Sequence, residues 1–191
     1  SKSIKFENSD QGGSISGVGV RGLDGVGSED IWIDVYASNW NWVKGTWTDS
    51  SGRYTVSGLP AGSYYLWTWN NQGYVDEFYN NVISSDAAML VSVTEGSDTP
   101  NINFGLIMGG SISGVVVRDL DGVGIEDIWI YVFDSNWNWV KSVLTDSSGR
   151  YTASGLPTGG YYLWTWTNQG YIDEFYNNVL TSDAATLVSV T

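Results

Sequence analysis

An internal repeat is the feature of this sequence that most narrows the folds open to it. The stretch GGSISGVGVRGLDGVG begins at Gly12 and returns as GGSISGVVVRDLDGVG at Gly109, an offset of 97 residues. Aligned without gaps, residues 12–94 and 109–191 are identical at 66 of 83 positions. Each copy has the size of an ordinary single domain. The sequence therefore predicts a leader at residues 1–11 and two domains at residues 12–108 and 109–191.

Within each copy, apolar residues recur at every second position. Ile31, Ile33 and Val35 alternate with larger or polar neighbours, and clusters such as Ser-Gly and Asp-Gly interrupt the runs. This period of two is typical of β-strands joined by tight turns. Seven short strands per copy match the number in a β-sandwich. The first copy is expected to have strands at residues 14–21, 31–37, 42–48, 54–57, 63–70, 89–94 and 101–106, with one helical turn at 84–88 capped by Ser85 or Asp86.

The composition argues against several classes of function. The chain has 21 acidic and 8 basic residues, a formal charge of −13, and neither cysteine nor histidine. An acidic surface repels phosphate backbones, so no nucleic-acid partner is expected. Without histidine the usual general base and zinc ligand are missing. No apolar run reaches the roughly 18 residues of a membrane span, so no membrane insertion is expected. The composition therefore predicts a protein that is not an enzyme and requires no cofactor.

Two motifs in each copy carry a family resemblance. TDxxGxY begins at Thr48 and LPxGxY at Leu59, and both return in the second copy. Together they resemble the carboxypeptidase regulatory-like domains and their CnaB and SdrD-B relatives. The resemblance implies an all-β chain of two tandem Greek-key, prealbumin-like sandwiches, used as a stalk, spacer or binding module at the cell surface or outside the cell. LPxGxY also resembles a tyrosine corner, with Tyr64 and Tyr161 as the tyrosines.

The two copies differ at their trailing ends. The first continues into residues 98–106, where Ile102 and Phe104 are expected to fill the core as the last strand. The second reaches Thr191, the counterpart of Thr94, without a copy of that strand. A sandwich short of one strand exposes an apolar groove and unpaired backbone groups. The second domain is therefore expected to accept a strand from elsewhere.

The leader has the pattern of the strand that the second copy lacks. Ile4 and Phe6 precede Gly12 much as Ile102 and Phe104 precede Gly109. Insertion of this N-terminal donor strand into the next molecule is donor-strand complementation, and a head-to-tail contact of this kind builds an open filament. The predicted partners are copies of the chain itself. The acceptor groove is expected at Val115, Val117, Val188 and Val190.

Other interpretations of the same sequence stay open. The chain can be a fragment of a longer stalk of such repeats, so that the leading strand belongs to a preceding domain. It can also be a binding module, either a cell-surface adhesin or a carbohydrate-binding module that takes glycans. A regulatory appendage of an enzyme is a third alternative.

A recurring acidic turn is a candidate calcium site. DGxGxED begins at Asp24 in the first copy and at Asp121 in the second. Calcium prefers six to eight oxygen ligands on a compact loop, and the SdrD-B domains that this chain resembles hold calcium on similar loops. The alternative is a solvated Asp-Gly hairpin turn. The candidate ligands are Asp24, Glu29, Asp30, Asp119, Asp121, Glu126 and Asp127.

Eleven tryptophans are many for a chain of this length. The alternation of the strands places several of them on faces turned away from the core. Such aromatic rows serve domain or subunit packing, lie under loops, or stack on sugar rings. The candidates are Trp32, Trp40, Trp42, Trp67, Trp69, Trp129, Trp137, Trp139, Trp164 and Trp166.

Adjacent acids at Asp76–Glu77 and Asp173–Glu174 invite comparison with glycosidase carboxylates. Neighbouring residues of an extended chain point to opposite faces, so the two members of a pair cannot act on one bond. The pairs are therefore expected to be structural.

Overall fold

The computed structural model describes residues 11–191, which form two compact units. Unit 1 comprises residues 11–70 and Asp76–Ile107, and unit 2 comprises Asn71–Val75 and Met108–Thr191. The leader residues Ile4 and Phe6 lie outside the described residues. Among those described, no helix is long and apolar enough to cross a membrane.

Unit 1 is a sandwich of two β-sheets. One sheet has the strand order β3-β2-β5-β6, and the other has β4-β1-β7 with β8 also paired to β1. β1 is antiparallel to β4 and parallel to β7 and β8. The strands are β1 (Gly13–Arg21), β2 (Trp32–Ala37), β3 (Trp42–Trp47), β4 (Arg53–Leu59), β5 (Gly62–Trp69), β6 (Val91–Val93), β7 (Asp98–Thr99) and β8 (Phe104–Leu106).

Alternating apolar side chains of both sheets form the core of unit 1. Ile15 of β1 and Val56 of β4 are buried on one side, and Ile33 of β2 and Leu66 of β5 on the other. Phe104 of β8 is fully buried with them. The period-two pattern therefore points its apolar set inward, as the alternation predicted.

Unit 2 repeats most of this architecture. One sheet has the order β11-β10-β13-β14, and β12 pairs with β9 in a second sheet of two strands. Its core includes Ile112, Ile130, Val132 and Leu163, drawn from both sheets. The strands are β9 (Gly110–Val115), β10 (Trp129–Asp134), β11 (Trp139–Leu144), β12 (Arg150–Leu156), β13 (Gly159–Trp166) and β14 (Val188–Val190).

The short segment Asn71–Val75 belongs to unit 2 although it lies within the first sequence copy. The Gly109 amide donates to the Gly73 carbonyl over 2.9 Å, and Tyr74 forms a β-bridge with Met108. Tyr74 is buried there. Contacts in space, rather than the repeat boundary, therefore decide which unit this segment joins.

The all-β sandwich class predicted from the sequence is confirmed, with two local differences. The turn expected at residues 84–88 is a 3₁₀ helix at Ser85–Ala87, and Ser84 caps it rather than Ser85 or Asp86. The strand expected at residues 101–106 is shorter, and β7 precedes it as a separate piece. Asn101 interrupts the extended chain because its φ of 66° is left-handed.

Both predicted tyrosine corners are present. The Tyr64 hydroxyl donates to the Pro60 carbonyl over 2.7 Å, and the Tyr161 hydroxyl donates to the Pro157 carbonyl over 2.6 Å. Each bond ties the start of a strand to the turn before it.

Replacing Tyr64 by phenylalanine should lower the free energy of unfolding of unit 1 by about 1 kcal/mol, because a half-buried carbonyl loses its donor. Urea unfolding of the full chain measures the change. Tyr65→Phe is the matched control, since the Tyr65 hydroxyl makes no hydrogen bond in the described part of the chain. Equal effects of the two substitutions would contradict the prediction.

Candidate functional site

In unit 1 a groove between the two sheets is filled by the last strand. Ile102, Phe104 and Leu106 insert their side chains, with exposed fractions of 7%, 0% and 1%. Phe104 packs against the rings of Tyr54 and Tyr79, with centroids 6.1 and 6.4 Å apart. Ile102 just before β8, with Phe104 and Leu106 of β8, therefore supplies three alternate inward side chains to the core, as predicted for Ile102 and Phe104.

Hydrogen bonds hold this strand along the edge of β1. The Ile102 amide donates to the Ser16 carbonyl over 3.0 Å, and the Gly22 amide donates to the Leu106 carbonyl over 2.7 Å. The side-chain oxygen of Asn103 accepts from the Val18 amide over 3.0 Å. Backbone groups of β1 that face away from β4 therefore find partners in the last strand.

Two further contacts fix the position of the strand in the groove. The Tyr54 hydroxyl donates to the Ile102 carbonyl over 2.6 Å. A Cβ at Gly17 would lie 1.9 Å from that same carbonyl oxygen. Only glycine at this position lets the strand approach so closely.

Unit 2 has the same groove, and no strand of residues 11–191 occupies it. The groove is a cavity of about 410 Å³ that runs between β9 and β13. In the described part of the chain no strand lies beside β9 on its side away from β12. Val115 and Val117 are about half exposed, at 46% and 48%. The lining residues that matter below are Val115, Val117, Asp119, Tyr151, Glu174 and Tyr176.

β9 is also shorter than its counterpart in unit 1. Residues 19–21 of β1 are held as strand by pairing with β8, from Phe104 to Leu106. The corresponding residues 116–118 follow the end of β9 at Val115 and are not strand. Because the two segments are similar in sequence, the difference in backbone structure reflects the neighbouring strand.

A glutamate is buried under the last strand of unit 1. Glu77 is 4% exposed, and its Oε1 has no hydrogen-bond partner. Burial raises the pKa of its carboxyl to about 7 from an ordinary 4.5, and a hydrogen bond from the Gly105 amide opposes part of that rise. Its counterpart Glu174 is half-buried and lines the open groove.

The acceptor residues expected from the sequence fall in two places. Val115 and Val117 line the groove. Val188 and Val190 lie in β14, which pairs with β13, and Val190 is buried in the core of unit 2. The structure therefore brings only the first pair to the groove, because β14 already occupies the other edge of its own sheet. Sequence analysis did not identify Tyr151 and Glu174 as lining residues of the groove.

The acidic turns make ion pairs and turn hydrogen bonds. Asp24 pairs with Arg21 at 2.9 Å, and Asp121 pairs with Arg118 at 2.8 Å. Within residues 11–191 no group of three or more acidic side chains is close enough to hold a metal ion. The other candidate ligands, Glu29, Asp30, Asp119, Glu126 and Asp127, are therefore not gathered into one cluster. Calcium binding stays a prediction.

Two of the candidate tryptophans, one in each unit, are each stacked on a tyrosine. Trp40 lies on Tyr65 with ring centroids 4.2 Å apart, and Trp137 lies on Tyr162 at 4.1 Å. Both tryptophans have a φ of 66°, which is unusual for a bulky residue. The stacking offsets the cost of this backbone conformation. These two residues are therefore packed within their own units.

The remaining candidate tryptophans have varied surroundings. The indole N–H groups of Trp32 and Trp42 both donate to Asp34 over 2.7 Å. Trp67 makes an edge contact with Phe78, with centroids 4.5 Å apart. Others pack on neighbouring rings or are 40% exposed or more, and glycan binding by any of them stays a prediction. This last group is Trp69, Trp129, Trp139, Trp164 and Trp166.

The adjacent acids are arranged as expected for structural residues. Asp76 accepts from the Asn70 amide over 2.9 Å, and Asp173 accepts from the Thr167 amide over 2.9 Å. Glu77 and Glu174 point to the groove side instead. The two carboxylates of each pair therefore face different environments.

Comparison with known proteins finds relatives for most of this chain. It is 29% identical over 168 residues to serine-aspartate repeat-containing protein D of Staphylococcus aureus, covering 80% of this chain and 13% of that protein. It is 24% identical over 166 residues to serine-aspartate repeat-containing protein F of Staphylococcus epidermidis, covering 80% of this chain and 10% of that protein. Both of these homologues are serine-aspartate repeat-containing proteins. No family model matches the chain.

These homologues agree with the SdrD-B resemblance noted in the sequence and with the expected cell-surface or extracellular location. The chain spans only about an eighth of the length of protein D. Among solved structures it is similar to a streptococcal ancillary pilin, at 15% identity and a TM-score of 0.42, covering 97% of this chain and 63% of that one. It is also similar to BcpA, the major pilin subunit of Bacillus cereus, at 10% identity and a TM-score of 0.36, covering 95% and 96%.

Proposed function

We propose that this chain is a structural module of a cell-surface fibre or stalk, with no enzymatic role, whose copies join head to tail by strand addition. In this assembly the leader of one copy enters the groove of unit 2 in the next. The observation that carries the proposal is the contrast between two near-identical units, one with its groove filled by a strand and one with it open.

The filled groove of unit 1 indicates what the open one would accept. It holds a strand with apolar residues at alternate positions, Ile102, Phe104 and Leu106. The leader offers Ile4 and Phe6 with the same spacing as the first two. Burial of two such side chains contributes roughly 1.5–3 kcal/mol each. Backbone pairing along β9 adds to this and removes an exposed strand edge.

Charge favours the same occupant. The leader contains two lysines and two acids and is neutral, whereas residues 109–191 contain nine acids and three bases. A neutral strand approaches such a domain without the repulsion that two acidic units would experience. Because the donor and acceptor are different surfaces, the contact repeats without closing. A filament of copies is the expected product.

Assembly should depend on the leader and on the close approach at β9. Phe6→Ser removes the larger anchor of the donor. Gly114→Ala adds a Cβ at the position corresponding to Gly17, where the incoming carbonyl would lie. Within the free unit the nearest atoms to that Cβ belong to the Tyr151 side chain, at 2.7–2.9 Å, so Tyr151 must shift to accommodate it and the fold of this variant is checked by circular dichroism. Either substitution should abolish assemblies seen by electron microscopy and analytical ultracentrifugation.

Ser189→Ala, at an exposed position of β14, is the matched control and should assemble like the unchanged chain. Fibres that persist in both Phe6→Ser and Gly114→Ala would contradict strand addition. So would an unchanged chain that stays monomeric at high concentration.

A further inference from the structure

We propose that acid promotes strand addition to the unit 2 groove through Glu174, because this side chain is neutral when a strand fills the groove. The inference rests on the function proposed above and adds the regulation of the same site. It does not depend on which chain supplies the strand.

The geometry of unit 1 displays the filled state. Glu77 occupies the position of Glu174 and is almost fully enclosed once β8 is in place. The Gly105 amide of that strand bonds its carboxyl, and the second oxygen is left without a partner. A buried carboxylate with one oxygen unpartnered is costly, whereas a neutral carboxylic acid is not. Filling the groove of unit 2 transfers Glu174 from a half-buried site to this environment.

The groups that face Glu174 do not supply a compensating positive charge. The titratable residues lining the groove are Asp119 from the segment after β9, Tyr151 from β12 and Tyr176 from the loop after Glu174. Arg118 lies next to Asp119 in sequence, and its guanidinium bonds the Asp121 carboxylate instead. From β13 the groove is lined by uncharged residues. Asp119, which stands where unit 1 has Gly22, adds a second negative charge and so acts in the same direction.

The sign of the effect follows from Glu77. Its carboxyl has a pKa raised to about 7 in the filled groove, against an ordinary 4.5. A group with a raised pKa in the filled state takes up a proton when the strand enters. The favourable contribution of this proton uptake to the free energy of binding is therefore complete below pH 4.5 and is lost as the pH rises through 7. Binding should tighten as the solution becomes more acidic.

The test uses a synthetic peptide with no titratable group, the sequence of residues 101–107 acetylated at its N-terminus and amidated at its C-terminus. Its binding to the full chain carrying Phe6→Ser, which keeps the leader out of the groove, is followed by titration calorimetry between pH 5 and pH 8. We expect a dissociation constant about 10- to 100-fold lower at pH 5 than at pH 8. The Glu174→Gln variant should bind the peptide with little dependence on pH. The Asp119→Asn variant should retain most of the pH dependence of the parent.

Equal affinity at both pH values, or an unchanged pH dependence in Glu174→Gln, would overturn the role of Glu174 while leaving strand addition intact. A peptide that fails to bind at every pH, to the parent and to Glu174→Gln alike, would instead overturn the acceptor groove itself. The two failures are therefore distinguishable.

Discussion

Replacing Phe104 by alanine should lower the free energy of unfolding of unit 1 by about 3–5 kcal/mol, the range observed when large buried aromatic residues are truncated. Phe104 is fully buried, and it contacts the rings of Tyr54 and Tyr79. Its removal leaves a cavity below β1 and loosens β8, which pairs with residues 19–21 of β1. Unit 2 has no counterpart of this residue among its described strands and should be unaffected.

Hydrogen–deuterium exchange, measured segment by segment on the full chain, separates the two units. Protection should fall in β1 and β4 of unit 1 and stay unchanged in β9 and β12 of unit 2. Ile83→Ala is the control, because Ile83 is 56% exposed and surface truncations usually cost less than about 0.5 kcal/mol. Similar losses for the two variants would show that the last strand does not close the core of unit 1.

Replacing Glu77 by glutamine should stabilise unit 1 by about 3 kcal/mol at pH 8 and by far less at pH 5. The carboxyl is buried and its pKa is raised to about 7, so the folded unit prefers the neutral acid. The contribution of Glu77 to the stability of unit 1 is therefore complete below pH 4.5 and is lost as the pH rises through 7. Glutamine imitates the neutral acid, so its contribution to the stability of unit 1 does not depend on pH.

Urea unfolding at pH 5 and pH 8, combined with exchange in unit 1, measures this difference. Glu174→Gln is the matched control in the same chain, because Glu174 is half-buried at the same position of unit 2. It should leave the pH dependence of unit 1 as it was. If Glu77→Gln is no more stable than the unchanged chain at pH 8, the buried carboxyl is compensated in a way that the contacts of Glu77 do not reveal.

Much of the fold could be predicted from local patterns. The period-two alternation around Ile31, Ile33 and Val35 predicted a strand of the correct type and nearly correct bounds, and the LPxGxY motif predicted the tyrosine corners. Both depend on residues close together in sequence. The last strand was placed correctly in the core but not in its length, because the left-handed backbone of Asn101 has no clear signal in a single sequence.

The candidate site was harder to predict. Of the four residues expected in the acceptor groove, Val115 and Val117 line it and Val188 and Val190 do not. The apolar character that all four share cannot distinguish a groove from a core already closed by β13. Glu174 was interpreted only as one of an adjacent acidic pair. The neighbours of Glu174 give no clear signal of the groove, because Asp173 precedes it and Ile172 and Tyr176 are exposed.

The amino-acid pattern alone predicts the duplication, the all-β class and the alternation of inward and outward residues, because the first follows from aligning the two copies and the others from short-range periodicity. The enclosure of Glu77, the identity of the residues that line the groove of unit 2 and the separation of the acids in each DGxGxED turn emerge only from the folded arrangement. Those properties depend on which segments distant in sequence lie side by side, and two copies that agree at 66 of 83 positions can differ in them through one neighbouring strand.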